Sequence, residues 1–252
     1  MKKISRIFIF SLVFLFMALY LTQSARFPAA AASVGDKNKL LNIPILMYHT
    51  SSENNPGKYA DLYVKPSEFE KQIKYLSENN YTFCIFDDWY DLYGIEKPVF
   101  VTFDDGYKEN YTEIFPILKK YNAKITIFLV TDPMQLTEDM IREMSDSGLV
   151  KFESHTLTHI DLAKMSSDDE KLEKELKDSK ARIEEITGKT VHALAYPYGR
   201  CDEKVKKKAR EFYKFGLIAS SGIHRSDINN FEIRRLAVSR NTSLDGFVKL
   251  VK

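Results

Sequence analysis

Cysteine is nearly absent from this chain of 252 residues. Cys84 and Cys201 are the only two, so no disulfide framework holds the fold. The pair either forms one bridge in an oxidising compartment or stands as two separate thiols. The 10 glycines and 8 prolines show no collagen-like period or low-complexity tract. Internal repeats are lacking, which excludes solenoids and propellers. An excess of one charge is also lacking, with 37 basic against 35 acidic side chains. Four of the bases (Lys2, Lys3, Arg6, Arg26) lie in residues 1–32, which hold no acid; without that segment, 33 bases face 35 acids. No basic stripe remains that would mark a nucleic-acid binder.

Long apolar runs are equally scarce. The longest, Ile7 to Leu21, is interrupted only by Ser11 and falls short of the roughly 20 residues that span a bilayer. It follows the cationic Lys2, Lys3 and Arg6 and precedes the small residues Ala29–Ser33, so residues 1–32 read as a secretory signal cleaved after Ala32. An uncleaved anchor through residues 7–21 is the alternative. Either reading puts the remainder outside the cytoplasmic membrane, secreted or at the cell surface, with membrane or cell-wall association open. No cysteine follows the run closely, which argues against a lipoprotein. Residues 33–41 read as a linker and 42–252 as one domain, expected as a monomer.

Within that domain apolar runs alternate with amphipathic stretches. Expected strands are 43–48, 81–86, 98–103, 125–130, 149–153, 191–196, 215–219 and 233–238, several of them continuously hydrophobic, as strands buried on both faces are. Helices are expected from a capping box at Ser67–Glu70, with Phe69, Ile73 and Leu76 on one face, and from a second box at Ser167–Glu170, ending at Gly188. The charged face of that second helix reads as solvated. Pro116 predicts a kink or restart between 109 and 121, and further helices are expected at 138–147, 203–213 and 244–251. Strand–helix alternation predicts an α/β fold, a distorted (β/α) barrel with a mostly parallel sheet and its active site at the C-terminal rim of the strands.

The reactive residues fall at that rim. Asp104 and Asp105 follow the third strand; two adjacent carboxylates resist joint ionisation unless a cation or strong donors relieve them. An ordinary Asp-Asp-Gly surface turn is the plainer alternative. His155 and His159, four apart after the fifth strand, make either a metal-ligating pair or two surface histidines. His49, ending the first strand, is a metal ligand, a general acid or a hydrogen-bonded core residue. Tyr196-Pro197-Tyr198-Gly199 is either a plain turn or one that aims a backbone N–H into a site. Trp89, Tyr90 and Tyr93 suit either a sugar-stacking surface or the core.

Thr102-Phe103-Asp104-Asp105-Gly106, His155-Thr156-Leu157-Thr158-His159 and Tyr196-Pro197-Tyr198-Gly199 resemble three motifs of the polysaccharide deacetylases, carbohydrate esterase family 4. That resemblance implies metal-dependent removal of acetyl groups from N-acetylated sugars. It implies Asp104 as general base, Asp105, His155 and His159 as ligands of a divalent metal, usually zinc, and the Tyr198 N–H as oxyanion donor. Pro44–His49, followed by Phe69–Gln72 and Tyr75-Leu76, is similar to the circularly permuted poly-N-acetylglucosamine deacetylases, which take the acid histidine from the start of the domain. His49 is therefore the implied general acid. Ala195 stands where many relatives carry an arginine that orients the base; Arg234 or Arg235 is the candidate replacement, and a surface basic pair is the alternative. The expected substrate is an N-acetylglucosamine-containing exopolysaccharide or cell-wall glycan. O-acetyl ester cleavage and an inactive carbohydrate-binding module are the rival readings.

Overall fold

A computed structural model describes residues 40–54 and 57–252. The expected signal segment, and all of the linker but residues 40 and 41, lie outside the described residues. Among those described, no helix is long and apolar enough to cross a membrane.

Eight strands form the main sheet. They are β2 (Ile45–Tyr48), β5 (Thr82–Cys84), β6 (Pro98–Phe103), β7 (Ile125–Leu129), β8 (Val150–Ser154), β9 (Ala193–Ala195), β10 (Phe215–Leu217) and β12 (Leu236–Ala237). Their order is β10-β9-β8-β7-β6-β2-β12, with β5 also paired to β6, and every pairing is parallel. A bridge from Leu217 to Ile233 joins β10 to the segment entering β12, so the sheet curls back on itself. This is the expected distorted barrel. Short pairs lie outside it: β1 (Asn42–Ile43) with β11 (His224–Arg225), and β3 (Thr50–Ser51) with β4 (Tyr63–Val64).

Strand side chains alternate between two cores, as a period of two requires. Val99, Val101, Phe103, Ile127 and Leu129 face the helices and pack with Phe69, Ile73 and Leu76 of α1 (Pro66–Glu78) and with Leu172, Leu176 and Ile183 of α5 (Asp169–Thr187). Phe100, Phe128, Ala195, Leu217 and Ile233 face the concave side, where Phe86, Trp89 and Leu92 fill the barrel. Those three sit on a 3₁₀ segment, Phe86–Gly94, that the strand reading did not anticipate. Trp89 lies nearly parallel to Phe86, at 5.8 Å between centroids, and belongs to the core, whereas Tyr90 is exposed.

Several local expectations shift by a residue or two. Lys65, not Ser67, caps α1, because Pro66 occupies the first turn, where its missing N–H costs nothing. Asp168, not Ser167, caps α5, accepting from the Lys171 N–H at 3.0 Å, and Gly188 ends that helix in a left-handed conformation as expected. Around Pro116 a short π-helical stretch, Asn110–Ile114, hands over to α2 (Phe115–Tyr121), which is the predicted restart. Both cysteines are free.

Candidate active site

Strand parity carries the reactive residues to one place. Phe100 and Thr102 share the concave face with the next position of that parity, Asp104; Ile45 and Met47 lead in the same way to His49, and Glu153 to His155. The chain positions His49, Asp104, Asp105, His155, His159 and Tyr198 around a single cavity of about 390 Å³ at the C-terminal ends of the strands.

The turn after β6 separates the two aspartates. Asp105 adopts a left-handed conformation (φ 71°), followed by Gly106 at φ 73°. That positive φ favours glycine, and a Cβ at Gly106 would lie 2.4 Å from Leu129 Cδ1 and force its side chain to move. The reversal turns Asp105 toward the histidines and leaves Asp104 pointing into the barrel. Asp105 Oδ1 lies 3.4 Å from His155 Nε2 and 3.3 Å from His159 Nε2. Charge-assisted hydrogen bonds are shorter, about 2.7–2.9 Å. Two donors each about 2.1 Å from one ion at the tetrahedral angle would instead stand about 3.4 Å apart, as these do. One ligand atom from each of the three residues falls within 4.8 Å of the others, so the donor set fits a divalent cation. His155 Nδ1 is 2.7 Å from the Ala195 carbonyl, leaving Nε2 to face Asp105. Burial pushes the His155 imidazole below its ordinary pKa against the pull of both aspartates, a shift toward the neutral ring that binding a metal would require.

The loop carrying the histidines is pinned from behind. Glu175, buried on α5, accepts from the Thr158 hydroxyl at 2.6 Å and the Thr158 N–H at 2.9 Å, while its carbonyl takes the Leu157 N–H at 3.1 Å. The Ser154 and Ser179 hydroxyls lie 2.9 Å apart. Thus α5 has a solvated face, as expected, and also a polar stripe that fixes this loop. Glu153, two residues before His155, ties β8 to the start of β9: its Oε2 accepts from the N–H groups of His192 and Ala193 at 2.7 and 2.8 Å, and burial pushes its pKa up to about 8.

Asp104 is gripped by a residue that sequence reasoning could not place. Arg235 Nη1 donates to Oδ1 at 2.6 Å and Nη2 to Oδ2 at 2.8 Å, with Arg235 only 1% exposed. Burial alone would raise the Asp104 pKa; the Arg235 guanidinium overrides it and holds the carboxyl well below the usual range. Arg234 is exposed, so the two arginines are not a surface pair. Of the two candidate arginines, Arg235 is the one that reaches Asp104, from the residue just before β12.

Tyr198 also adopts a left-handed conformation (φ 61°). Its N–H meets no protein acceptor among the described residues, while the flanking N–H groups of Gly199 and Arg200 bond back into the turn. Its ring packs edge-on against His159 at 4.9 Å. Gly199 lies so close to Ala219 that an added Cβ would sit 2.2 Å from the Ala219 Cβ. At the far side, the Asn110 side chain donates to the His49 carbonyl at 3.1 Å, and the Tyr48 hydroxyl donates to Gln72 at 2.8 Å, joining the first strand to α1.

Comparison with known proteins points to one family. A family model described as polysaccharide deacetylase matches residues 93–213. YxkH of Bacillus subtilis, assigned to the polysaccharide deacetylases, is 32% identical over 219 residues, covering 83% of this chain and 76% of its own. The poly-β-1,6-N-acetyl-D-glucosamine N-deacetylase of Staphylococcus epidermidis is 27% identical over 288 residues, covering 100% of this chain and 97% of that protein. Among solved structures, a polysaccharide deacetylase from Bacillus cereus superposes with a TM-score of 0.79 at 34% identity, covering 84% of this chain and 70% of the other. The Streptococcus pyogenes deacetylase PplD, in complex with acetate, gives 0.78 at 28% identity, covering 85% of this chain and 100% of that one.

Proposed function

This chain belongs to the polysaccharide deacetylase family, carbohydrate esterase family 4, and on that premise we propose that it is an exported, metal-dependent N-deacetylase of an N-acetylglucosamine polymer. Residues 42–252 are its catalytic domain and residues 1–32 its export signal. The observation that carries the reading is the spacing of Asp105 Oδ1 from His155 Nε2 and His159 Nε2, 3.4 and 3.3 Å, beside a separately held carboxylate.

Asp105, His155 and His159 would hold the cation, with zinc the first choice and cobalt or nickel compatible with the same donors. When bound, such an ion supplies Lewis acidity that lowers the pKa of water and draws charge from the acyl oxygen. Asp104 is kept ionised by Arg235 and accepts the water's proton as the acetamide carbonyl is attacked. The Tyr198 N–H, with no protein acceptor, donates to the acyl oxygen as it becomes negative. His49 gives a proton to the departing nitrogen, releasing acetate and a free glucosamine amine. The amine protonates near neutral pH, so the polymer gains positive charge with each turnover.

Retention of the whole donor set argues against an inactive binding module. Similarity to the Staphylococcus epidermidis enzyme favours a β-1,6-linked polymer over peptidoglycan. Acetate release from β-1,6-linked N-acetylglucosamine oligomers, peptidoglycan and acetyl-xylan tests the reading, with Asp104→Asn as the inactive control. Release from acetyl-xylan alone would make the protein an O-acetyl esterase, and release from none would leave a binding module.

A further inference from the structure

We propose that Tyr59 is a sugar-stacking platform on the rim of the catalytic cavity, opposite Tyr198, so that the site binds an N-acetylated oligosaccharide more tightly than a single sugar. The inference rests on the deacetylase reading above. Among the described residues four large hydrophobic side chains are more than half exposed: Leu40, Tyr59, Tyr90 and Tyr198. Two of them, Tyr59 at 65% and Tyr198 at 59%, line the catalytic cavity. Core packing therefore does not account for Tyr59.

Its backbone points the same way. Asp105, Thr156, His159 and Tyr198 of the site loops have left-handed φ values of 71°, 70°, 59° and 61°, and Tyr59 joins them at 66°. A bulky side chain in that region costs stability, and such strain gathers where function holds it. The conformation is fixed locally. The Tyr59 carbonyl accepts the Leu62 N–H at 3.0 Å, and Arg240 anchors the base of the loop through the Ser52 and Glu53 carbonyls, both at 2.8 Å. Lys58 Nζ lies over the Tyr59 ring, 4.8 Å from its centre, and Tyr59 nonetheless stays 65% exposed.

Topology sets the path between the two rings. Tyr59 lies on the excursion that follows β2, and Tyr198 follows β9; β6, β7 and β8 stand between those strands. Asp105 comes from the end of β6 and His155 from the end of β8, so a chain touching both rings crosses the metal-ligand cluster. The C–H face of a β-linked glucosamine ring suits an exposed tyrosine, because its partly positive hydrogens meet the electron-rich face of the aromatic ring.

The test compares wild type, Tyr59→Asn, Tyr59→Phe and Tyr90→Asn on an N-acetylglucosamine pentamer and on methyl N-acetylglucosaminide. Asparagine tolerates the left-handed backbone and removes only the ring. Tyr59→Asn should raise KM for the pentamer roughly five- to ten-fold with kcat unchanged. It should leave the monosaccharide rate alone, and Tyr59→Phe and the distant Tyr90→Asn should match wild type. A pentamer KM within two-fold of wild type, or an equal loss on the monosaccharide, would overturn the assignment. If wild type releases acetate from neither substrate, the deacetylase reading is what fails. Pentamer affinity by calorimetry then judges the platform alone: weakened binding in Tyr59→Asn supports it, and unchanged binding refutes it.

Discussion

Arg235 and Asp104 meet through two parallel hydrogen bonds inside the barrel, although 131 residues separate them in the chain. Removing the guanidinium would strand a buried carboxylate, which typically costs about 3–5 kcal/mol. Arg235→Ala should therefore lower stability by that order and abolish acetate release. Arg235→Lys, which keeps the charge without the fork, should fold better yet remain well below wild type in kcat. Urea denaturation alongside acetate release checks both; a fully active Arg235→Ala would show that the pair does not orient the base.

Glu175 is expected to act on metal affinity from behind the ligands. Its carboxylate fixes Thr158, which sits between the two histidines. Groups bonded directly to a ligand typically contribute about 10–100-fold in metal affinity, and Glu175, one step further out, is expected at about the lower end. Glu175→Ala should weaken zinc binding by that order in a calorimetric titration, with the circular dichroism spectrum retained.

His49 separates amide from ester cleavage. An amine leaves poorly without a proton, while an aryl oxide leaves readily. His49→Ala should reduce kcat on an N-acetylglucosamine oligomer by about 10²–10⁴-fold and reduce hydrolysis of an aryl acetate much less. Equal losses on both substrates would remove His49 from the acid role.

His224 makes stability depend on pH. It is buried against Trp89, and neither ring nitrogen has a protein hydrogen-bond partner among the described residues. Burial, aided by Arg234 and opposed by Asp227, lowers its pKa to about 4. The unfolded chain, with an imidazole pKa of about 6.5, then binds the extra proton between those values. Stability should fall as pH drops from about 6.5 to 4, by up to about 1.4 kcal/mol per pH unit from this group, and level off below. Denaturation midpoints of wild type and His224→Phe across that range isolate the contribution; parallel curves would contradict it.

Much of this was legible in the sequence because a parallel sheet writes itself as apolar runs and its chemistry sits where those runs end. Pro98–Phe103 matches the observed strand residue for residue, and the Asp104–Asp105 turn follows directly. Less legible was the 3₁₀ plug, although Phe86, Trp89 and Leu92 recur at the three-residue period such a helix imposes. Glu175 left a fainter trace, as an acidic residue inside the apolar stripe of α5. The last strand shrank from 233–238 to Leu236–Ala237 because Ile233 pairs toward β10 while Leu236 pairs toward β2. Arg235 lies between those two pairings, and nothing local in its sequence announces Asp104 as its partner.

The central claim is that one cation, held by Asp105, His155 and His159, is required for N-deacetylation. Protein stripped with a chelator should release no acetate from a β-1,6-linked N-acetylglucosamine oligomer and should recover fully at one equivalent of zinc per chain. Acetate release that survives stripping undiminished would contradict it.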